Sequence, residues 1–202
     1  MGRIIGITGT TGSGKSTVSR IMQNLGAYII DADVVAKTAL APSSPIVPLI
    51  RKAFGDEVMQ DDNVIDRRKL SNKVFSDYKE LNKLNSITLP YIKNEMLKQA
   101  NDCFKKDNNK LVVFDAPLLF EAGLNEGLDD IWLVTAADEM KRNRIMERDN
   151  LTADEAIQRI NSRKSDDEMK KLSTVIIENN GSYDELLKKV TDIFSERYGI
   201  TI

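Results

Sequence analysis

A glycine-rich run near the start of the chain has the residue types and spacing of a phosphate-binding loop. Residues 9–17 are GTTGSGKST, which match the pattern G-x-x-x-x-G-K-[ST] between an apolar run and a helical pattern. Glycines let successive backbone N–H groups face phosphate oxygens at the positive end of a helix. We expect an ATP site here, in which Lys15 bridges the phosphates and Ser16 holds Mg²⁺; the alternative is a glycine-rich turn without a ligand. The residues expected to contact ATP are Gly12, Ser13, Gly14, Lys15, Ser16 and Thr17.

Two aspartates follow the second apolar run, where a predicted strand would end. Asp31 and Asp33 would then lie at the carboxyl edge of a sheet, which is where ligands bind in open α/β folds. Alternation along an extended strand would put both on one side. An exposed aspartate is ionised at neutral pH and can accept a hydrogen bond from an attacking hydroxyl group. The alternative is that Asp33 caps a helix starting at Val34, and capping does not exclude chemistry.

A third aspartate, Asp115, ends the apolar run 111–114 and precedes Pro117. Acids at strand ends commonly reach the magnesium shell in enzymes with this type of phosphate loop. The alternative is a carboxylate that closes the turn before the proline.

Arginines are spaced four apart in two consecutive helical patterns. Arg144 and Arg148 share one helix face, and Arg159 and Arg163 repeat the spacing. Guanidinium groups suit phosphate oxygens, and a mobile arginine-bearing segment can close over ATP and exclude water. The same spacing fits a solvated face with acidic partners, namely Glu147, Asp149 and Glu155.

Composition narrows the chemistry further. The chain has 202 residues and no histidine, which excludes Ser-His-Asp triads, Cys-His pairs and histidine-ligated zinc. The net charge of −2 gives no uniform positive field for nucleic acid or a membrane surface. Cys103 is the single cysteine, and no apolar stretch approaches the roughly 18 residues of a membrane span. We therefore expect a cytoplasmic protein.

Short apolar runs alternate with longer amphipathic ones, which is typical of strands joined by crossover helices in a parallel sheet. Residues 31–110 contain no clear strand pattern and open with Pro42, Pro45 and Pro48, so we expect a helical insertion that binds the phosphate acceptor. The predicted strands are 3–8, 27–30, 111–115, 131–135 and 174–178. The predicted helices are 15–24, 33–40, 66–75, 78–87, 91–105, 138–149, 152–163 and 183–197.

These elements in this order resemble the dephospho-CoA kinase family over nearly the whole chain. The segments that carry the resemblance are residues 6–17, the acid motif 31–33, Asp66-Arg67, the run PLLFE at 117–121 and RIMER at 144–148. The PLLFE run is the most family-specific. Four positions depart from the usual pattern: Thr10-Thr11 in place of Gly-Ile, Leu89 in place of histidine, and Arg163 in place of glutamine.

The resemblance implies an α/β, three-layer P-loop NTPase fold with a parallel five-stranded sheet, in one kinase domain. Its parts would be a core (1–38, 108–138 and 170–202), an acceptor-binding insertion (about 39–107) and a helical lid (about 139–169).

The resemblance also implies a reaction, in which ATP phosphorylates the ribose 3′-hydroxyl of dephospho-CoA. It assigns catalytic roles to Lys15, Asp33 and Arg144, with Asp33 as the base, and adds Arg144 and Arg148 to the ATP site. The implied acceptor-binding residues are Asp33, Arg67, Leu118, Phe120 and Glu121, and the implied Mg²⁺ ligands, direct or through water, are Ser16, Asp31 and Asp115.

The sequence leaves other functions open. The protein could be another small-metabolite or nucleoside monophosphate kinase, a non-catalytic phosphate-loop switch, or an ATPase linked to nucleic acid. We expect a monomer or weak homo-oligomer with no nucleic-acid or membrane partner.

Overall fold

The computed structural model describes residues 2–75, 77–161 and 165–199. The strands are β1 (Arg3–Gly9), β2 (Tyr28–Asp31), β3 (Met59–Asp61), β4 (Val64–Ile65), β5 (Leu111–Asp115), β6 (Asp130–Thr135) and β7 (Val175–Glu178). The helices are α1 (Lys15–Asn24), α2 (Ala32–Ala39), α3 (Val47–Phe54), α4 (Arg67–Phe75), α5 (Tyr78–Lys106), α6 (Asp138–Asp149), α7 (Ala153–Asn161), α8 (Asp166–Lys170) and α9 (Tyr183–Tyr198), with a short 3₁₀ turn at Asp56–Val58.

The chain divides into two compact units. The first comprises Met1–Ile30 and Asp102–Ile202, and the second comprises Asp31–Asn101. Among the described residues, no helix is both long enough and apolar enough to cross a membrane.

The first unit contains the predicted five-stranded parallel sheet, which is confirmed. Its strand order is β2-β5-β1-β6-β7, and β1 pairs in parallel with both β5 and β6. The sheet is buried because its inner strands are nearly continuous apolar runs; all five residues of β5 are buried. With β1 between β5 and β6, the ends of these three strands lie side by side at one edge.

Helices α1 and α9 contribute to the apolar core on the sheet. Trp132 of β6 is fully buried and donates its indole N–H to the Tyr198 hydroxyl of α9 at 2.9 Å. That hydroxyl in turn donates to Asp130 at 2.8 Å, and burial raises the pKa of Tyr198. This bond chain fixes the last turn of α9 to the start of β6.

The second unit contains two elements that sequence patterns did not predict. A two-stranded antiparallel hairpin, β3 with β4, lies in the segment expected to have no strand. Its strands have three and two residues, too short to show alternation. Sequence patterns also do not predict helix α3, because Pro48 belongs to a cluster of three prolines that is typical of a break. Pro48 lies in the first turn of α3, where the missing N–H of a proline has no helical partner to lose.

Helix α5 corrects the prediction of two helices, 78–87 and 91–105. It is one helix with Pro90 inside it. Proline lacks the N–H that would reach the Ser86 carbonyl, but both residues lie on an exposed face, where water can replace that bond. Helix α8 was missed as well: it has five residues and begins at a capping box formed by Ser165 and Glu168.

Candidate active site

The phosphate loop lies between the carboxyl end of β1 and the start of α1, as its sequence predicted. Gly12 and Gly14 have φ angles of 83° and 91°, in the left-handed region that favours glycine. A Cβ atom at Gly12 would lie 2.6 Å from the Lys141 carbonyl oxygen, and one at Gly14 would overlap the Asn179 side chain. Both glycines are therefore required by conformation and by close packing. Helix α1 starts at Lys15, so its positive end faces the loop.

Two residues from other elements donate hydrogen bonds to the backbone of the phosphate loop. Asn179, directly after β7, is 6% exposed and donates its side-chain N–H to the Ser13 carbonyl at 2.8 Å. Arg144 of α6 donates to the carbonyls of Gly12 at 3.3 Å and Asn179 at 3.1 Å. The structure thus brings Arg144 to the loop. Asn179 was missed as a site residue, since an asparagine 166 positions from Ser13 carries no local signal of the contact.

Asp115 lies beside the loop lysine. It ends β5, is 5% exposed, and its carboxylate pairs with the Lys15 ammonium. Its other oxygen accepts a hydrogen bond from the Ser19 hydroxyl at 2.6 Å. Both carboxylate oxygens of Asp115 thus contact side chains of α1, which argues against the alternative that the carboxylate closes the turn before Pro117. Ser19, one helical turn after Lys15, was missed.

Asp31 and Asp33 belong to the second unit, where their local roles differ from the prediction. The helix begins at Ala32, not Val34, and its cap is Asp31, whose Oδ1 accepts from the backbone N–H groups of Asp33 and Val34 at 2.7 and 3.2 Å. The alternative in which Asp33 is the cap is therefore wrong. Asp33 lies in the first helical turn, so strand alternation does not apply to it. Both carboxylates are exposed.

Arg148 has a different environment from Arg144. Its guanidinium forms two hydrogen bonds with the neighbouring Asp149, each 2.8 Å long, and its side chain is 59% exposed. Arg159 donates to the same carboxylate at 2.8 Å. Hydrogen bonding to Arg148 lowers the pKa of Asp149. The solvated-face interpretation thus fits Arg148 and Arg159 in this state, while Arg163 lies outside the described residues.

The residues expected to bind the acceptor occur in both units. In the first, Leu118 and Phe120 are half-buried and Glu121 is exposed, in the turn that follows Asp115. In the second, Arg67 is exposed and donates to the Lys37 carbonyl at 3.0 Å. Leu89 is half-buried within α5.

The candidate magnesium ligands have suitable chemistry. The Ser16 hydroxyl and the Asp115 carboxylate are hard oxygen donors, which Mg²⁺ prefers, and each belongs to an element that ends at the phosphate loop or beside it. Among residues 2–75, 77–161 and 165–199, no group of three or more His, Cys, Asp or Glu residues is arranged to hold a metal. Protein oxygens alone would thus be too few, and an ion here would need phosphate oxygens and water as further ligands.

Comparisons with known proteins agree with the resemblance drawn from the sequence. A family model described as dephospho-CoA kinase matches residues 3–185. A protein of Listeria monocytogenes named dephospho-CoA kinase is 40% identical over 198 residues, which are 98% of both chains. One of that name from Carboxydothermus hydrogenoformans is 39% identical, over 96% of this chain and 93% of that one. The solved dephospho-CoA kinase from Campylobacter jejuni has a TM-score of 0.72 at 27% identity, over 98% of each chain. The likeness therefore concerns the whole chain and not the phosphate loop alone.

Proposed function

The chain belongs to the dephospho-CoA kinase family, and we propose that it transfers the γ-phosphate of ATP to the ribose 3′-hydroxyl of dephospho-CoA, giving coenzyme A and ADP. This is the last step of coenzyme A synthesis. The observation that carries the proposal is the near full-length family match in a chain whose phosphate loop ends at Lys15 beside the buried Asp115.

ATP would bind with its β- and γ-phosphates in the loop, against backbone N–H groups at the start of α1. Lys15 would turn from Asp115 to the phosphates, because an ammonium stabilises the charge that develops during transfer. The proposed ATP contacts are Gly12, Ser13, Gly14, Lys15, Ser16, Thr17, Arg144 and Arg148. Arg144 is the stronger arginine candidate, since it already reaches the Gly12 carbonyl.

Mg²⁺ would enter with ATP as part of the substrate. Once Lys15 turns to the phosphates, the Asp115 oxygen that it now occupies would become available to the ion or its water. The Ser16 hydroxyl is the second proposed ligand. Asp31 is the third proposed ligand; its Oδ1 serves as the cap of α2, so its Oδ2 would have to act.

Asp33 is the proposed base that accepts the proton of the attacking hydroxyl. Its place in the first turn of α2 leaves the carboxylate exposed and close in sequence to Asp31. The residues proposed to bind the acceptor with it are Arg67, Leu118, Phe120 and Glu121. In this assignment residues 39–107 form the acceptor-binding insertion and residues 139–169 the lid.

The proposed setting is the cytoplasm, with the enzyme acting as a monomer or weak homo-oligomer on small molecules. The net charge of −2 supports a metabolite acceptor over nucleic acid.

A panel of acceptors tests the function. Purified protein would be given ATP with dephospho-CoA, a nucleoside monophosphate or shikimate, and ADP formation measured. We expect rapid ADP formation with dephospho-CoA and not with the other two acceptors. Lys15→Ala should abolish this activity. Lys188→Ala should retain it, because Lys188 is an exposed residue on α9. Preference for another acceptor would overturn the substrate assignment, and full activity of Lys15→Ala would overturn the role of the loop.

A further inference from the structure

One carboxylate outside the assigned site connects four parts of the first unit. Asp166, the first residue of α8, accepts a hydrogen bond from the Thr10 hydroxyl of the phosphate loop at 3.0 Å. It also accepts from the Thr135 hydroxyl at the end of β6 and from the Lys141 ammonium of α6 at 2.9 Å. We refer to Thr10, Thr135, Lys141 and Asp166 as the Asp166 cluster.

The cluster holds a buried charge that needs its partner. Lys141 is 3% exposed, and its ammonium also pairs with Asp138 at 2.7 Å. Burial opposes the charge of Lys141, but hydrogen bonds to Asp138 and Asp166 outweigh it and raise its pKa. Burial likewise opposes the charge of Asp166, whose pKa is nonetheless lowered because Thr135 and Lys141 donate to its carboxylate. Loss of the Asp166 charge would leave the Lys141 ammonium paired with Asp138, which lies outside the cluster.

The cluster contacts the phosphate loop at two points. The Thr10 carbonyl accepts the backbone N–H of Ser13 at 3.1 Å, so the position of Thr10 influences the turn of the loop. The backbone of Lys141 packs directly against Gly12. Arg144 follows Lys141 by three residues on the same helix and donates to the Gly12 carbonyl. A shift of α6 relative to Thr10 would therefore move Arg144 relative to the loop.

Hydrogen bonds, more than apolar packing, set the position of this carboxylate. A cavity of about 540 Å³ borders the cluster, and its lining includes Thr10, Lys141 and Asp166. Side chains beside an open cavity lack neighbours on that side that would hold them by packing. The direction of the carboxylate thus depends on its three donors.

We propose that Asp166 is a positioning residue for phosphoryl transfer, which fixes Thr10 of the loop and Lys141 of α6 in one arrangement and thereby holds Arg144 at the loop. The inference rests on the proposed function, in that it assigns the loop and Arg144 to ATP. Asp166 itself does not touch the reacting atoms in this account.

Two adjacent aspartates provide a matched comparison. Asp166→Asn keeps the shape but removes the charge facing Lys141, whereas Asp167→Asn makes the same change at a side chain that is 87% exposed and pairs with Lys170 at the surface. For both variants, the affinity for a non-hydrolysable ATP analogue, kcat and the KM for ATP would be measured at a temperature well below melting. The melting temperature of each variant would be measured separately. We expect Asp166→Asn to weaken analogue binding and to lower kcat/KM for ATP by about tenfold, and Asp167→Asn to change each by less than twofold.

A double-mutant cycle with Thr10→Val separates positioning from general destabilisation. Valine removes the hydroxyl donor at nearly constant volume, so if the pair acts as a unit, Thr10→Val with Asp166→Asn should bind the analogue no more weakly than Asp166→Asn alone. Additive effects, or an Asp166→Asn enzyme that melts earlier but binds and turns over normally, would overturn the inference. Binding of the ATP analogue requires no acceptor. The test therefore remains decisive even if dephospho-CoA is not the acceptor.

Discussion

At the scale of single residues, the contacts that matter most join side chains far apart in sequence. Asp115 meets Lys15 and Ser19 because β5 and β1 are neighbours in the sheet, which places the end of β5 beside the phosphate loop. The hydrogen bonds of the Asp31 side chain, in contrast, are local, because it caps α2. Asp31 thus combines a structural role as the cap of α2 with a proposed role as a magnesium ligand. Substitutions can separate these two roles.

Asparagine substitutions separate the proposed base from the proposed magnesium ligand. Asp33→Asn should lower kcat by about 10²-fold or more with little change in ATP binding, because general-base catalysis contributes on that order. Asp31→Asn should instead raise the Mg²⁺ concentration needed for activity; asparagine caps helices as well as aspartate does, so stability should hold. Steady-state kinetics across a magnesium titration would measure both, and the reverse pattern would exchange the two roles.

Arg144 and Arg148 should differ in how strongly they affect the rate of phosphoryl transfer. Alanine at either position should slow phosphoryl transfer without unfolding the protein, more strongly at position 144, whose guanidinium donates to the Gly12 and Asn179 carbonyls. Arg148 pairs with Asp149 at the surface, where water screens the two charges and such pairs contribute little to stability. Single-turnover rates and melting temperatures would be compared. A variant that melts early but turns over normally would show that its arginine is structural.

Leu89 offers a test of acceptor binding, because the family resemblance implies a histidine at this position. If the natural protein is active, that histidine is not indispensable to the chemistry. We expect Leu89→His to lower the KM for dephospho-CoA by a factor of a few with little change in kcat, since one added hydrogen bond contributes about 0.5–1.5 kcal/mol. Acceptor titrations would show this, and a large gain in kcat would contradict it.

At the scale of elements, sequence patterns located the core strands well and the second unit less well. Each end of the five sheet strands was predicted to within one residue, because each strand contains a short apolar run in the sequence. The hairpin of β3 and β4 and the helices α3 and α8 were missed because they are short or open at a proline. Proline signals misled again in α5, where exposure at Pro90 allows the helix to continue.

The junction of α8 with the sheet should be sensitive to acid. The pKa of Asp166 is lowered in the folded protein, so its contribution to stability is present above the unfolded-state pKa, about 3.9, and is lost as pH falls through the folded value. The difference in unfolding free energy between the natural protein and Asp166→Asn should therefore shrink as pH falls below about 4. Urea unfolding from pH 6 to pH 3 would measure it, with Asp167→Asn as the control for losing one aspartate. A difference that stays constant with pH would contradict the ionic role of Asp166.

At the scale of the whole molecule, the order of motifs identified the family before any contact was known. The phosphate loop, the acid motif and the PLLFE run are local patterns that the sequence alone displays, and the family match over residues 3–185 confirmed the family that they indicate. Asn179, Ser19 and Asp166 could not be found in this way. Their roles depend on partners brought together by strand order, such as the end of β7 beside β6.

The regiochemistry of the product tests the central claim most directly. The protein would be incubated with ATP, Mg²⁺ and dephospho-CoA, and the product's mass and phosphate position determined by mass spectrometry and phosphorus NMR. We predict one ADP for each coenzyme A formed, with the new phosphate on the ribose 3′-oxygen. Phosphate at another hydroxyl, or ADP formed without any phosphorylated acceptor, would contradict the account.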